Sequence, residues 1–445
     1  MEKNPNKIKI LNQGSYGCIF RPGFACDKAP LSKQYITKLQ RKQRTSEKET
    51  LLGKQIQKIP HYEDYFAPII ESCQISLTSV DDNEISKCEF IEKDKAELEK
   101  TNPTTPQPLS YETNKIRYIG KDTLLDYFLD TFKKNPKNTI KNIITTNIDI
   151  LDGLNKLETA KIIHFDLKEN NIMIDDKSKR PIIIDFGLSF DEAAVTPSNP
   201  SSPTKADVEK LKKVFFTYGP DYEPWCIDIC IQTYIYNLIE DPINEKITSN
   251  EIYDILQDFF IKNIIVKELL TEVESSNYKT ELTKYLSIFE NKPWIELSRE
   301  LLKYKYSWDN YSLCVIYLYV LKYLSDNNNT NNTNNTNNTN NTNNTNTNNT
   351  NNTNNTNNNN LQVLDEYKKI LTQQVISVPN KRLSCIQLKD SLKTIFKNID
   401  RKAHMVMKTK IEKLFKNTHQ DISSKIKTKQ INELKREINI YMKKS

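Results

Sequence analysis

Between residues 164 and 187 the chain reads HFDLKENNIMIDDKSKRPIIIDFG, and four of its polar side chains have the types and spacing to move a phosphoryl group. Asp166 is a carboxylate that can accept the proton of an attacking hydroxyl. Lys168, two residues on, can offset charge on the group in flight. Asn171 and Asp185 supply amide and carboxylate oxygens, the donors that a hard Mg²⁺ ion prefers. Phosphoryl transfer is governed by positioning and charge neutralisation, so such a set needs rigid support. The apolar runs Ile172–Ile174 and Ile182–Ile184 flank these residues and read as a short hairpin bedding both loops in a core.

A lone H-x-D or D-F-G is more often an ordinary loop. In this order and spacing, Asp166, Lys168, Asn171, Asp185, Phe186 and Gly187 resemble the protein-kinase catalytic loop H-R-D-L-K-x-x-N followed by D-F-G. The resemblance implies an α+β, bilobal protein-kinase-like fold with a small β-rich N-lobe and a larger helical C-lobe. It also implies use of ATP and Mg²⁺, with Asn171 and Asp185 on the metal.

Upstream, LNQGSYGCIF resembles a kinase glycine-rich loop, with Asn12, Gly14 and Gly17 at the three glycine positions and Ser15 in the turn. The chain has only eight glycines, so two at motif positions here are informative. Asn at the first position is a departure, softened because Asn tolerates positive φ better than most residues. The β-branched run QYITKLQ then resembles the strand that carries the phosphate-binding lysine and nominates Lys38; read alone, Lys38 is a solvated surface charge. In SEKETLLGKQIQKI, Glu49 shares a helical face with Leu52, Ile56 and Ile59, which points it inward as the lysine's partner, with Glu47 the fallback. The adenine hinge falls at residues 117–121, before a helix starting at Thr123; a plain strand-to-helix turn would use the same residues.

The segment SWDNYSLCVIYLYVLKYL resembles the central C-lobe helix, with Asp309 as its anchoring aspartate, and SVPNKRLSCIQL resembles the end of the kinase domain. Arg382 there either pairs with a carboxylate or is simply solvated. Two departures stand out. Phe165 replaces the usual arginine before Asp166, removing the cation that reads a phosphorylated loop, so activity is expected not to need that phosphate. No A-P-E follows D-F-G; TYGPDYEPWCID occupies the region, and Glu223 and Asp228 both remain open as the missing acid. The Ser/Thr/Pro-rich stretch from Asp191, with Thr196 and Ser202 each before proline, reads as a mobile loop or a phosphosite.

At 445 residues the chain exceeds one kinase-like domain, and the excess reads as insertions. The domain is expected over residues 8–395, with the N-lobe about 8–120 and the C-lobe about 121–395. Residues 229–306 are an insertion before the central helix. Residues 327–360, an Asn/Thr repeat without charge or apolar side chains, are expected as a disordered insertion. Residues 396–445 hold 14 Lys/Arg and 5 Asp/Glu, a net +9 against +7 for the whole chain, so the basic character belongs to this helical tail. The tail would either pack on the C-lobe with a solvated lysine face or bind an acidic partner, nucleic acid or anionic membrane.

No run is apolar enough for a signal region or a transmembrane segment, and scattered cysteines without C-x-x-C or clustered histidines point to a reducing compartment without structural zinc. A cytoplasmic location follows, host cytoplasm or virion for a viral chain. The motif combination, with its Asn/Ile/Lys-rich composition, resembles the divergent kinases of large cytoplasmic DNA viruses, mimivirus relatives in particular. The expected activity is a serine/threonine-protein kinase acting on protein substrates. A pseudokinase scaffold, a small-molecule kinase and an adaptor working through the tail are the alternatives; Lys168 and the full D-F-G argue against the small-molecule class.

Overall fold

The run Tyr35–Arg41 predicts a strand by composition and forms the middle of an antiparallel sheet. Strands β1 (Ile10–Gly14), β2 (Gly17–Phe20), β3 (Tyr35–Arg41), β5 (Ile69–Ser76) and β6 (Ser110–Arg117) are ordered β1-β2-β3-β6-β5. A smaller sheet joins β4 (Phe66–Ala67) to the hairpin β7 (Ile172–Ile174) and β8 (Pro181–Ile184), with β4 parallel to β8. Strands β7 and β8 are the two apolar runs that flank the motif residues. This computed structural model describes residues 8–14, 17–24, 32–41, 44–76, 85–93, 96, 110–135, 138–199, 202–333 and 353–397.

The chain divides into two compact units. The first is Met1–Asp122 with Asn171–Phe190, and the second is Thr123–Asn170 with Asp191–Ser445. Within the first, one sheet face buries Phe20, Phe24, Leu39, Ile75 and Tyr111 beneath Ile85 and Ile91. Helix α1 (Arg44–Ile56) packs against β5 and buries Leu52 and Ile56. The cysteines, scattered and without C-x-x-C in the sequence, include one joined pair. Cys18 and Cys88 form a disulfide with a Cα–Cα distance of 6.1 Å across 70 residues of sequence. The segment around Ile85 folds over the sheet and brings them together, which spacing alone cannot reveal.

The second unit is helical. Helix α2 (Leu124–Lys134) starts at a capping box between Thr123 and Asp126. Helix α3 (Thr139–Thr159) lies against α10 (Tyr306–Thr333), where Tyr317 donates to Thr146 Oγ1 at 2.9 Å. The apolar sequence of α10 fits its burial: Trp308, Tyr311, Leu313, Cys314, Tyr317 and Leu321 have no exposed surface. Between them run α4 (Lys205–Lys212), α5 (Ile227–Leu238), α6 (Ser249–Lys262), α7 (Ile264–Leu269), α8 (Glu272–Ser287) and α9 (Trp294–Leu302). Residues 229–306, expected as an insertion, are mostly helical, and within them Gln232 and Tyr236 of α5 meet Ser298 of α9.

Helices α11 (Thr353–Val375) and α12 (Cys385–Lys397) complete the unit. The ends of the Asn/Thr tract, 327–333 and 353–360, continue the flanking helices α10 and α11, because each inherits a helix already nucleated by apolar packing. Residues 334–352 of that tract and the basic tail from 398 onward lie outside the described residues, as does Ser15. Among the described residues no helix is long and apolar enough to cross a membrane.

Gly53 decides how closely α1 approaches β5. A Cβ there would stand 2.5 Å from the Ile69 carbonyl oxygen, which also accepts from Gln57 Nε2 at 3.0 Å. Alanine would gain about 1 kcal/mol in helix propensity, but overpacking against backbone costs about 1–3 kcal/mol. Gly53→Ala is expected to lower the thermal unfolding midpoint; a raised midpoint would show that the approach is not tight.

Candidate active site

The candidate residues form two clusters, one in each unit. In the first, the β1–β2 hairpin pairs Gly14 with Gly17. Gly17 has φ +151° and an added Cβ would stand 2.0 Å from Leu39 O, so no side chain fits there. Asn12 lies within β1 opposite Ile19 and is not in the left-handed region; its side chain instead accepts from Gln13 N at 2.8 Å. The tolerance of Asn for positive φ is thus not what the strand uses.

Lys38 sits on β3, and its ammonium reaches Glu49 of α1 at 3.1 Å and Asp185 at 3.9 Å. Glu49 is only 6 % exposed, whereas Glu47 points to solvent, so the inward helical face selects the partner. Burial alone would lower the Lys38 pKa, but Glu49 and Asp185 hold it well above the usual lysine value. Burial pushes the Glu49 carboxyl up even with Lys38 beside it.

Asp185 takes a left-handed backbone, φ 61°, and Phe186 is buried edge-on against Phe66 at 6.1 Å. The hairpin register, Ile172 opposite Ile183, puts Asn171 and Asp185 at the same end of β7 and β8. An amide and a half-exposed carboxylate at one hairpin end suit Mg²⁺, which is typically held by one or two carboxylates with phosphate and water oxygens completing the shell. Among the described residues no cluster of three or more His, Cys, Asp or Glu could hold a metal by itself.

In the second unit, Asp166 and Lys168 are joined at 2.8 Å, and both also bond the hydroxyl of Tyr222, Lys168 at 3.3 Å. The loop is held from beneath by Asp309 of α10, whose two carboxylate oxygens accept from His164 N at 2.8 Å and Phe165 N at 2.9 Å. Burial pushes the Asp309 carboxyl up against the pull of His164 and these amides. Phe165 has φ 67°, and its carbonyl accepts from Trp225 Nε1 at 3.1 Å. Its ring is 2 % exposed and packs among Phe215, Trp225 and Trp308, so aromatic contacts fill the place where the resemblance expects a cation.

The choice between Glu223 and Asp228 is resolved for Asp228. It pairs with Arg382 at 2.8 Å, both side chains fully buried, and also accepts from Trp308 Nε1 at 3.2 Å. Burial works against the Arg382 charge, and Asp228 more than restores it. Arg382 is therefore not solvated. Tyr222 and Trp225 were not legible as site residues; the only sequence signal is an aromatic pair in the proline-flanked DYEPW segment.

A family model, the protein kinase domain, matches residues 115–204. The chain is 37% identical over 87 residues to the probable serine/threonine-protein kinase fnkB of Dictyostelium discoideum, covering 20% of this chain and 15% of that one. It is 37% identical over 80 residues to the probable inactive serine/threonine-protein kinase samkD of the same organism, covering 18% and 13%. It is 56% identical over 46 residues to death-associated protein kinase 2 of Mus musculus, covering 9% and 12%. The matches thus span 12–15% of the length of these curated relatives. With a β-rich first unit and a helical second unit, the fold is that of a protein kinase domain, mixed α+β, with serine/threonine kinase homologues.

The Lys38–Glu49 pair makes a testable electrostatic statement. Lys38→Met leaves Glu49 buried without its cation, which costs about 3 kcal/mol when the carboxylate is charged. Its folded pKa then rises further above the unfolded value, so the folded state gains stability by holding a proton and loses it as pH rises through the folded pKa. Urea unfolding should show a large deficit against wild type at pH 8 that shrinks toward pH 5; a pH-independent deficit would mean Glu49 is solvated.

Proposed function

We propose that the chain is a serine/threonine-protein kinase that transfers the γ-phosphoryl group of Mg-ATP to protein hydroxyls. The observation that carries this reading is the joined Asp166–Lys168 pair on a loop fixed by Asp309. Asp166 would take the proton from the acceptor hydroxyl, and Lys168 would steady the charge that builds on the transferred group. Lys38, kept cationic and aimed by Glu49, would hold the nucleotide phosphates, with Asn12, Gly14, Ser15 and Gly17 shaping the turn over them. Asn171 and Asp185 would hold Mg²⁺, which when bound neutralises phosphate charge. Lys168 in D-L-K-x-x-N supports serine and threonine acceptors by resemblance.

Phe165, packed among aromatic rings, supports activity that does not depend on a phosphorylated loop. The viral affinity rests on the motif combination and composition. A second reading, a pseudokinase scaffold that binds ATP without transferring phosphate, is favoured by the Asn12 departure and by the name of the samkD relative.

The two readings separate in one assay, transfer of labelled γ-phosphate from Mg-ATP to casein and histone. Asp166→Asn should lower transfer by about 10²–10⁴-fold, the range for loss of a general base, and Asp185→Asn should lower it too by removing a proposed Mg²⁺ ligand. Equal background in wild type and both variants, with ATP still bound, would leave the scaffold.

A further inference from the structure

A general base has to lie within hydrogen-bond reach of the hydroxyl it serves. One hydroxyl already meets that condition at Asp166, and it belongs to the chain itself. The Tyr222 phenol donates to Asp166 Oδ1, while Asp166 Oδ2 accepts from Lys168 at 2.8 Å. Lys168 also donates to the phenol oxygen at 3.3 Å. These are the two contacts that an acceptor serine or threonine would make.

The phenol is placed there by two backbone turns and a ring contact. Tyr222 N donates to Gly219 O at 3.2 Å and Trp225 N to Tyr222 O at 3.0 Å, so two consecutive turns bracket the residue. Its ring stands edge-on to Trp225 at 5.0 Å, and Trp225 is pinned to the Phe165 carbonyl. Gly219 permits the frame, since a Cβ there would lie 3.3 Å from the Trp225 ring.

We propose that the Tyr222 hydroxyl is a tethered stand-in for the acceptor hydroxyl, occupying Asp166 until a protein substrate displaces it. The inference rests on the phosphoryl-transfer reading above and names the side chain with which substrates compete. Between the phenol and the lysine ammonium on Asp166, the phenol is the one that yields. Removing Lys168 would separate opposite charges, whereas exchanging the neutral phenol for another neutral hydroxyl conserves the bond to the carboxylate. Substrate binding then costs displacement of a partly exposed side chain between two turns. Tyr222 is thus a residue that sets acceptor affinity.

The test is steady-state transfer to casein by wild type, Tyr222→Phe and Tyr222→Ala. Phenylalanine keeps the ring on Trp225 and removes only the hydroxyl, so its KM for casein should fall about tenfold, the scale of one hydrogen bond to a charged group. Its kcat should stay at or above wild type and its KM for ATP should not move. Tyr222→Ala should lower the casein KM as well, with any loss of folding read separately from thermal unfolding. A fall in kcat with unchanged casein KM in Tyr222→Phe would overturn the proposal, because the phenol would then be supporting Asp166. Phosphotyrosine at position 222 in the wild-type chain would overturn it too, the phenol being a consumed acceptor. Absence of transfer to casein and histone from every variant, wild type included, would overturn the phosphoryl-transfer reading and this inference with it.

Discussion

One buried carboxylate carries the loop on which the proposed chemistry rests. Asp309 receives the backbone N–H groups of His164 and Phe165, and these two bonds fix the peptide immediately before Asp166. Phe165 is held in the left-handed region, a conformation that costs a bulky residue about 1–3 kcal/mol. Each hydrogen bond to a charged acceptor returns about 1.5–3 kcal/mol, so two of them outweigh the strain. The burial of α10 is what makes this possible: a helix that could shift would not hold an aspartate to within hydrogen-bond tolerance under a strained loop.

The same region shows how a departure from a family pattern is absorbed by packing. With an aromatic side chain in place of a cation, Phe165 has no charge to satisfy and becomes the centre of a cluster with Phe215, Trp225 and Trp308. Trp308 links that cluster to Asp228, and Asp228 to Arg382. The acid that meets Arg382 is thus an aspartate at the start of α5. A buried ion pair of this kind contributes little net stability, but losing either member strands the other.

Motif residues with fixed spacing were legible in the sequence because their chemistry constrains their neighbours. The apolar runs flanking Asn171 and Asp185 are β7 and β8, and the choice of Glu49 over Glu47 followed from a helical face that the structure buries. What was not legible depends on contacts between distant segments. Asp228 could not be separated from Glu223, since only the position of Arg382, 154 residues later, decides between them. The Cys18–Cys88 link and the Tyr222 contact to Asp166 are likewise made by tertiary packing, and neither leaves a local pattern. Asn12 shows the opposite error, a residue-type argument about φ applied to a position where the backbone stays extended.

The discontinuity of the first unit has a consequence for synthesis on the ribosome. Strand β4 at Phe66–Ala67 finds its partner only at Ile183–Ile184, more than a hundred residues later. At about 5–20 residues per second, that partner emerges roughly 6–25 s after β4 itself. Once β6 has emerged, the five-stranded sheet has all its strands, while Ala67, Ile116 and Ile119 still wait for Met173, Ile182 and Ile184 to cover them. The nascent chain therefore carries an apolar patch that only the segment bearing Asp185 can close, so completion of the first unit and delivery of that aspartate are one event in time.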